Sequence, residues 1–382
     1  MAASKPLRVL HLVGADEDLG GVLSVVRNIQ AGTGAACHHV VWVNESYRET
    51  RKPPLEYRRS RNLLMETPTP SEFIRRGWRA FAELRVLLAH EPFDVLHAHA
   101  RGPLVVAMLA TLRLRRPVLF TNHAFARRTG LYRLAARWPR LTTVVLSPAM
   151  ARHYRLPTQL SRVKIISACC ADDFFSQPLR RESAPRSAHA ELRLAGVGNV
   201  IRWKNWNLVV QAMALLPEDL RRRVRFDIWG PTPSDPDSQD YARQLAELIT
   251  SRALDSQIRL RGSTHGVAAA LQECDWFILP STNEPCSVAL MEALALGIPA
   301  LASASGGNVD ILLDDQTGLL FRPDDASDLA RQLSRILRGQ FSAAKPEALR
   351  DSVRLRSATA VGTQYLDLYR SLAAEVSETH RF

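Results

Sequence analysis

Two glutamates, Glu284 and Glu292, stand in the segment Pro280-Ser281-Thr282-Asn283-Glu284-Pro285-Cys286-Ser287-Val288-Ala289-Leu290-Met291-Glu292. Pro285 fits the first position of a helix, where a missing N–H and a fixed φ cost nothing, and Gly297 with Pro299 ends that helix about three turns later. Glu284 then precedes the helix and Glu292 lies inside it, roughly 12 Å further along the axis at ~1.5 Å per residue. The first turn, with Cys286, Ser287 and Val288, carries unpaired N–H groups that attract a diphosphate. Carboxylates beside it can accept hydrogen bonds from hydroxyls of two separate sugars. That layout suits a sugar nucleotide. For an isolated pair of glutamates, a buried helix with ordinary surface acids is the alternative.

Other residues of interest fall at strand ends. Gly20-Gly21 follows a first strand and opens a helix, so its backbone N–H groups can face a phosphate or sugar, although Gly14 and Gly20-Gly21 lack the G-x-G-x-x-G spacing of a dinucleotide site. His97 and His99 share one face of a strand, as a metal pair would, but no third ligand is evident. Thr121-Asn122-His123 ends another strand, and Gly198-Asn199-Val200-Ile201-Arg202-Trp203-Lys204-Asn205 brings two cations to a glycine turn.

These positions need a scaffold of alternating strands and helices. Strand-like runs at Arg8 to Val13, Val40 to Val43, Asp94 to His99, Pro117 to Thr121, Thr142 to Leu146 and Val163 to Ser167 are separated by helical stretches, which means a parallel, doubly wound sheet. Residues 177–190 are polar and without periodicity, as in a linker. A second alternation runs from Leu192 to about residue 340. Ala358 to Leu372, with Tyr365, Tyr369 and Leu372 on one face, reads as a closing helix. The expected division is 1–178, a linker at 179–190, 191–357, and a terminal helix over 358–382.

From Glu273 through Ala330, including Glu284-Pro285, Glu292-Ala293-Leu294-Ala295-Leu296-Gly297, Gly306-Gly307 and Thr317-Gly318-Leu319-Leu320, the chain resembles the retaining glycosyltransferases of the family-4 type. The resemblance implies a GT-B fold, α/β, with two Rossmann-like domains facing across a cleft and the last helix crossing back. The first domain would bind the acceptor and the second the nucleotide sugar. By the same resemblance, Gly20 and Gly21 lie beside the donor diphosphate, and Gly198 with Lys204 matches the element that grips it. Asn199 stands where arginine is usual, and Arg202 is the nearby substitute. His123 matches a histidine near the transferred sugar, Glu284 would bind that sugar, and Glu292 the ribose. His123, Glu284 and Lys204 are thus the candidate catalytic residues, with no metal and no cofactor. The loop Ser167 to Phe175 lacks the family's Asn-Gly pair, and Cys286-Ser287 and Asp310 replace its commoner residues.

Composition bounds the setting. The 382 residues suit two domains, and no apolar stretch approaches the ~18 residues that span a bilayer. Five scattered cysteines lack zinc-like spacing and fit a reducing cytoplasm. The net charge of +12 is uneven: residues 1–190 hold 29 Lys/Arg against 14 Asp/Glu, a difference of +15, whereas residues 191–382 hold 21 against 24, or −3. Basic residues concentrate at Arg75-Arg76-Gly77-Trp78-Arg79 and Arg127 to Arg140, and the stretches Phe73 to Leu88 and Tyr132 to Trp138 interleave arginine with aromatic residues and leucine at helical spacing, as in a surface that meets anionic lipid on the inner face of the cytoplasmic membrane. No nucleic-acid module accompanies the charge, so nucleic acid is not expected. The expected activity is metal-independent, retaining transfer of a sugar to a glycan or lipid-linked acceptor, in cell-envelope polysaccharide or lipopolysaccharide assembly. An inactive GT-B binding subunit and a GT-B nucleotide-sugar epimerase are the rival readings.

Overall fold

Runs such as Val118-Leu119-Phe120 and Trp276–Leu279 are apolar on both faces, so they are stable only in a sheet covered on both sides. In the computed structural model, which describes residues 5–18, 21–50, 54–66, 69–114, 116–180, 190–264 and 266–379, they form two parallel sheets in two compact units. The first unit is Met1–Cys169 with Ala358–Phe382; the second is Cys170–Ser357. Residues 170–178, expected with the first domain, therefore belong to the second. The reason is local bonding, since the Cys170 N–H donates to the Arg356 carbonyl at 3.0 Å and the Arg180 N–H to that of Leu296 at 3.0 Å. Most of the expected linker, residues 181–189, lies outside the described residues.

The first unit holds β1 (Leu7–Leu12), β2 (Cys37–Asn44), β3 (Tyr57–Ser60), β4 (Val95–Ala98), β5 (Val118–Asn122), β6 (Leu141–Val145) and β7 (Val163–Ile165), ordered β3-β2-β1-β4-β5-β6-β7. Strand β3 was not expected from its sequence, Tyr-Arg-Arg-Ser. It is an edge strand, where charged side chains are tolerated, and Arg58 is tied to Glu91 at 2.8 Å. The helix Gly21–Thr33 and the closing helix Ala358–Thr379 pack on each other beside this sheet. Their approach requires glycine: a Cβ on Gly32 would lie 1.9 Å from the Ala358 carbonyl oxygen, and one on Gly362 would lie 2.5 Å from the Gly32 backbone. The closing helix buries Val361, Tyr365 and Tyr369 completely.

The second unit holds β8 (Leu192–Val197), β9 (Val224–Trp229), β10 (Ile258–Gly262), β11 (Trp276–Leu279), β12 (Ala300–Ser303) and β13 (Gly318–Phe321), ordered β10-β9-β8-β11-β12-β13. Trp206, Phe226, Leu245, Ile278, Leu301, Phe321 and Leu333 fill its core. In both sheets the strand order reverses beside the first strand, between β1 and β4 and between β8 and β11. Ligands of open α/β sheets bind at the carboxyl ends of strands at such a reversal.

Candidate active site

In the second unit, the loops that leave β8, β11 and β12 meet at that reversal. After β8, Lys204 folds back across Gly198, where a Cβ would come within 3.0 Å of the lysine Cε. A side chain at 198 would push the lysine away. After β11, Glu284 points at Lys204, and the Lys204 Nζ donates to Glu284 Oε2 at 2.9 Å with both side chains almost fully buried. The ammonium also lies 4.6 Å from the centre of the Trp203 ring. After β12, the glycine pair clamps the same loop: the Gly307 N–H donates to the Glu284 carbonyl at 2.8 Å. Gly306 has φ +58°, and a Cβ there would stand 2.2 Å from the Glu284 oxygen. The Thr282 N–H, donating to the Trp203 carbonyl at 3.0 Å, ties the first two loops together.

The helix after Glu284 spans Val288–Ala295 and is capped by Ser287, whose hydroxyl accepts from the Leu290 N–H at 3.2 Å. The start expected at Pro285 is thus three residues early: Ser287, in extended conformation, is the cap, and Glu284, which would precede a helix starting at Pro285, is held by Lys204. Cys286 is buried before the cap, and the half-buried Val288 and Ala289 form the first turn. Glu292 lies inside the helix and is half-buried, and Gly297 at φ +76° ends it.

Asn199 and Arg202 differ. The Asn199 carbonyl accepts from the Trp206 indole at 3.1 Å. Arg202 is half-exposed, and its guanidinium donates to Asp237 at 2.8 Å, Asp240 at 2.8 Å and Gln244 at 3.1 Å. Its charge is already matched by two carboxylates.

In the first unit, Gly20 lies outside the described residues. Gly21 opens the helix Gly21–Thr33 at the surface, and nothing lies within 4 Å of where its side chain would be. Packing does not demand glycine there. His123 follows β5, and its Nε2 lies 3.0 Å from His99 Nδ1. Sequence reasoning missed two further histidines. His11 Nδ1 is 2.8 Å from His99 Nε2, and His11 Nε2 is 2.7 Å from His39 Nδ1. The signal was present in register: β1 pairs with β4 so that His11 faces His97, and steps of two residues place His39, His11, His97, His99, Thr121 and His123 on one face of the sheet.

Burial lowers the pKa of every one of these histidines, that of His39 and of His123 to about 4, so all are neutral at pH 7. His11, His97 and His99 bring ring nitrogens within 4.8 Å of one another, which supplies the third metal ligand that the sequence did not reveal. Both nitrogens of each ring are already hydrogen-bonded, however, those of His97 to Tyr369 and Thr121 at 2.8 Å each. A cation would have to displace those bonds. All five cysteines are buried.

Such an arrangement, a buried ion pair in the loops at the reversal of a parallel sheet, lies where open α/β sheets bind their ligands. The family model described as "Glycosyl transferases group 1" matches residues 182–355, and that of "Glycosyltransferase Family 4" matches residues 19–168. The chain belongs to the group 1, family-4 type of glycosyltransferase and has the GT-B fold.

Its relatives include a 2-deoxystreptamine N-acetyl-D-glucosaminyltransferase of Niallia circulans, 25% identical over 81% of this chain and 85% of that one. Several other relatives are matched over 45% to 63% of their own length. Among solved structures, the sucrose-phosphate synthase of Thermosynechococcus elongatus superposes with a TM-score of 0.78 over 97% of this chain and 100% of that one, at 20% identity. The Anabaena protein HepE in complex with UDP-glucose superposes with a TM-score of 0.66 over 98% and 99%, at 17% identity. The protein is a glycosyltransferase.

Proposed function

We propose that the protein transfers a sugar, with retention of configuration and without a divalent metal, from a nucleotide-sugar donor held by the second unit to a glycan or lipid-linked acceptor held by the first. The Lys204–Glu284 pair, set at the β8/β11 reversal beside a helix N-terminus, carries this reading. Lys204 and the first-turn N–H groups near Val288 neutralise the diphosphate as it departs, which is the electrostatic work a divalent ion does elsewhere. Glu284 gives one oxygen to Lys204 and has a second for hydroxyls of the transferred sugar. Glu292 accepts from the ribose, and His123 positions the anomeric centre. Arg202 reaches the phosphates only by releasing Asp237 and Asp240.

The acceptor reading rests on the first unit's surface. On the helix Pro70–His90, Ile74 is 57% and Trp78 45% exposed, and Arg113 lies over the Trp78 ring at 5.6 Å. Arg75, Arg79, Arg127, Arg128, Arg137 and Arg140 are exposed as well. An aromatic, basic surface suits a polyanionic or lipid-linked acceptor at the inner face of a membrane, the chemistry of a cell-envelope polysaccharide or lipopolysaccharide under assembly. Among the described residues no helix is long and apolar enough to cross a membrane.

A second reading, a GT-B subunit that binds a nucleotide sugar without turnover, is favoured by Asn199 and by the pairing of Arg202. One assay separates the two. Purified protein is incubated with UDP-, GDP-, ADP- and CMP-sugars, with and without membrane extract as acceptor. Hydrolysis or transfer supports the first reading, binding alone the second, and no binding of any donor overturns both.

A further inference from the structure

Four histidines form an ordered line, with His39, His11 and His99 buried and His123 half-buried at its end. Thr33 Oγ1 lies 2.7 Å from His39 Nε2, His39 Nδ1 2.7 Å from His11 Nε2, His11 Nδ1 2.8 Å from His99 Nε2, and His99 Nδ1 3.0 Å from His123 Nε2. Every link joins an ε nitrogen to the next δ nitrogen or to the terminal hydroxyl, so one choice of proton at either end fixes all the others. A neutral imidazole carries one N–H and one lone pair, and burial keeps each of these rings neutral.

Thr33 makes that choice. Its hydroxyl oxygen is 3.0 Å from the Ile29 carbonyl oxygen and 3.2 Å from that of Gln30, the usual back-bonding geometry of a threonine in a helix. Carbonyls cannot donate, so the hydroxyl proton belongs between the oxygens; placed toward His39 instead, it would leave the Thr33 oxygen facing two carbonyl oxygens with no proton between them. Thr33 therefore accepts from His39 Nε2–H. It follows in turn that His11, His99 and His123 each donate through Nε2–H.

We propose that Thr33, His39, His11 and His99 are positioning residues that hold His123 in its Nε2–H tautomer, so that the Nδ1 lone pair is presented as a hydrogen-bond acceptor for a hydroxyl of the sugar being transferred. The use of that lone pair by a sugar rests on the reading of His123 given above; the tautomer does not. His97 braces the line from the side, with its ring centre 3.9 Å from that of His99 and its own nitrogens fixed by Tyr369 and Thr121. Bonds aligned head to tail polarise one another, which makes His123 Nδ1 a better acceptor than an isolated imidazole.

Two chemical consequences follow. His123 has no proton on Nδ1 to give, so at that atom it serves as an acceptor and not as an acid. The line also ends on helix carbonyls, which take no proton, so it orients His123 and does not carry protons away from the site.

The test is the tautomer itself. In protein labelled with 15N in the histidine rings, long-range 1H–15N spectra at pH 7.5 without any donor are expected to show His39, His11, His99 and His123 as Nε2–H. In Thr33→Val, which keeps the side-chain shape and removes the hydroxyl, the bias is expected to be lost and His123 to populate Nδ1–H, with Thr33→Ser restoring the single tautomer. An Nδ1–H His123 in the unmodified protein overturns the proposal, as does a His123 pattern unchanged by Thr33→Val. The measurement on unmodified protein decides even where the valine variant does not fold. Because no donor is present, a failure to bind nucleotide sugars leaves this result standing and counts only against the donor reading.

Discussion

The Lys204 ammonium and the Glu284 carboxylate, 80 positions apart in the chain, meet at 2.9 Å where each side chain retains only about a tenth of its exposure. Removing one partner of such a pair leaves a desolvated charge behind. Lys204→Met and Glu284→Gln are each expected to cost on the order of 2–3 kcal/mol, less than a fully buried pair because some solvent reaches it. The double variant is expected to cost less than the sum, and denaturant unfolding of the four proteins checks it.

Donor affinity is expected to fall at least tenfold in Lys204→Ala and in Glu292→Ala, because each removes a charge-assisted contact of roughly 1.5–3 kcal/mol. Calorimetry with whichever nucleotide sugar binds reads this directly. Unchanged affinity in both variants would discard the proposed donor site.

Gly306 is an exacting backbone position of that site. Alanine there must adopt φ +58° and place its Cβ against the Glu284 carbonyl, at 2.2 Å without adjustment. The left-handed backbone alone costs about 1–2 kcal/mol, and relief of the contact moves the loop that carries Glu284. Gly306→Ala is expected to lose donor binding along with stability, while Gly21→Ala, which meets open space, folds normally. A Gly306→Ala protein that binds donor as tightly as the parent contradicts the clamp.

Much of this was legible in advance, and the exceptions have a common cause. Apolar runs and helical spacing give the alternating elements, and the Glu284 to Gly297 segment gives the donor loop, because those signals are local. The histidine line was not legible: His39, His11, His99 and His123 lie on or just after four neighbouring strands and meet only through sheet register. The pairing of Arg202 with Asp237 and Asp240 is equally a tertiary event. The helix start went wrong by three residues because Pro285 and Ser287 both suit a helix N-terminus, and the capping hydroxyl won.

The histidine line also predicts acid sensitivity of the first unit. Each ring is held below its ordinary pKa of about 6.5, with His39 and His123 at about 4, chiefly through burial; His38 adds to the effect on His39, and the Tyr369 hydroxyl is itself pushed up by burial. The unfolded chain takes up protons below about pH 6.5 that the folded one refuses, so stability is flat above that pH from these groups. It falls as pH drops toward 4, by up to about 1.4 kcal/mol per pH unit for each ring. Amide exchange in β1 and β4 is expected to accelerate steeply between pH 6.5 and 4.5, with a smaller slope in His39→Gln. An exchange rate that follows only the intrinsic pH dependence of amides would remove this group from the stability account.

Transfer is expected to survive excess EDTA, because Lys204 and the helix N-terminus already face the diphosphate in the proposed site. Activity assays run before and after chelation, with Mg²⁺ or Mn²⁺ restored, give the answer. Complete loss that only the metal reverses contradicts metal independence.

The last prediction concerns the basic face of the first unit. If Arg75, Trp78, Arg79 and the Arg127 to Arg140 stretch meet an anionic membrane, the protein should sediment with vesicles containing acidic lipid and release as salt rises. Each exposed arginine contributes about 1 kcal/mol near such a surface and is screened within a Debye length. Arg76 should contribute least, since Glu72 already pairs with it at 2.7 Å. Replacing Arg75 and Arg79 by Ser is therefore expected to lower vesicle binding nearly as far as replacing all three, and Trp78→Ser to weaken it without changing its salt slope. None of these changes touches the second unit, so nucleotide-sugar affinity should hold. Protein that ignores acidic vesicles at low salt points instead to a polyanionic acceptor met in solution, because the same arginines would then serve a glycan rather than a lipid surface.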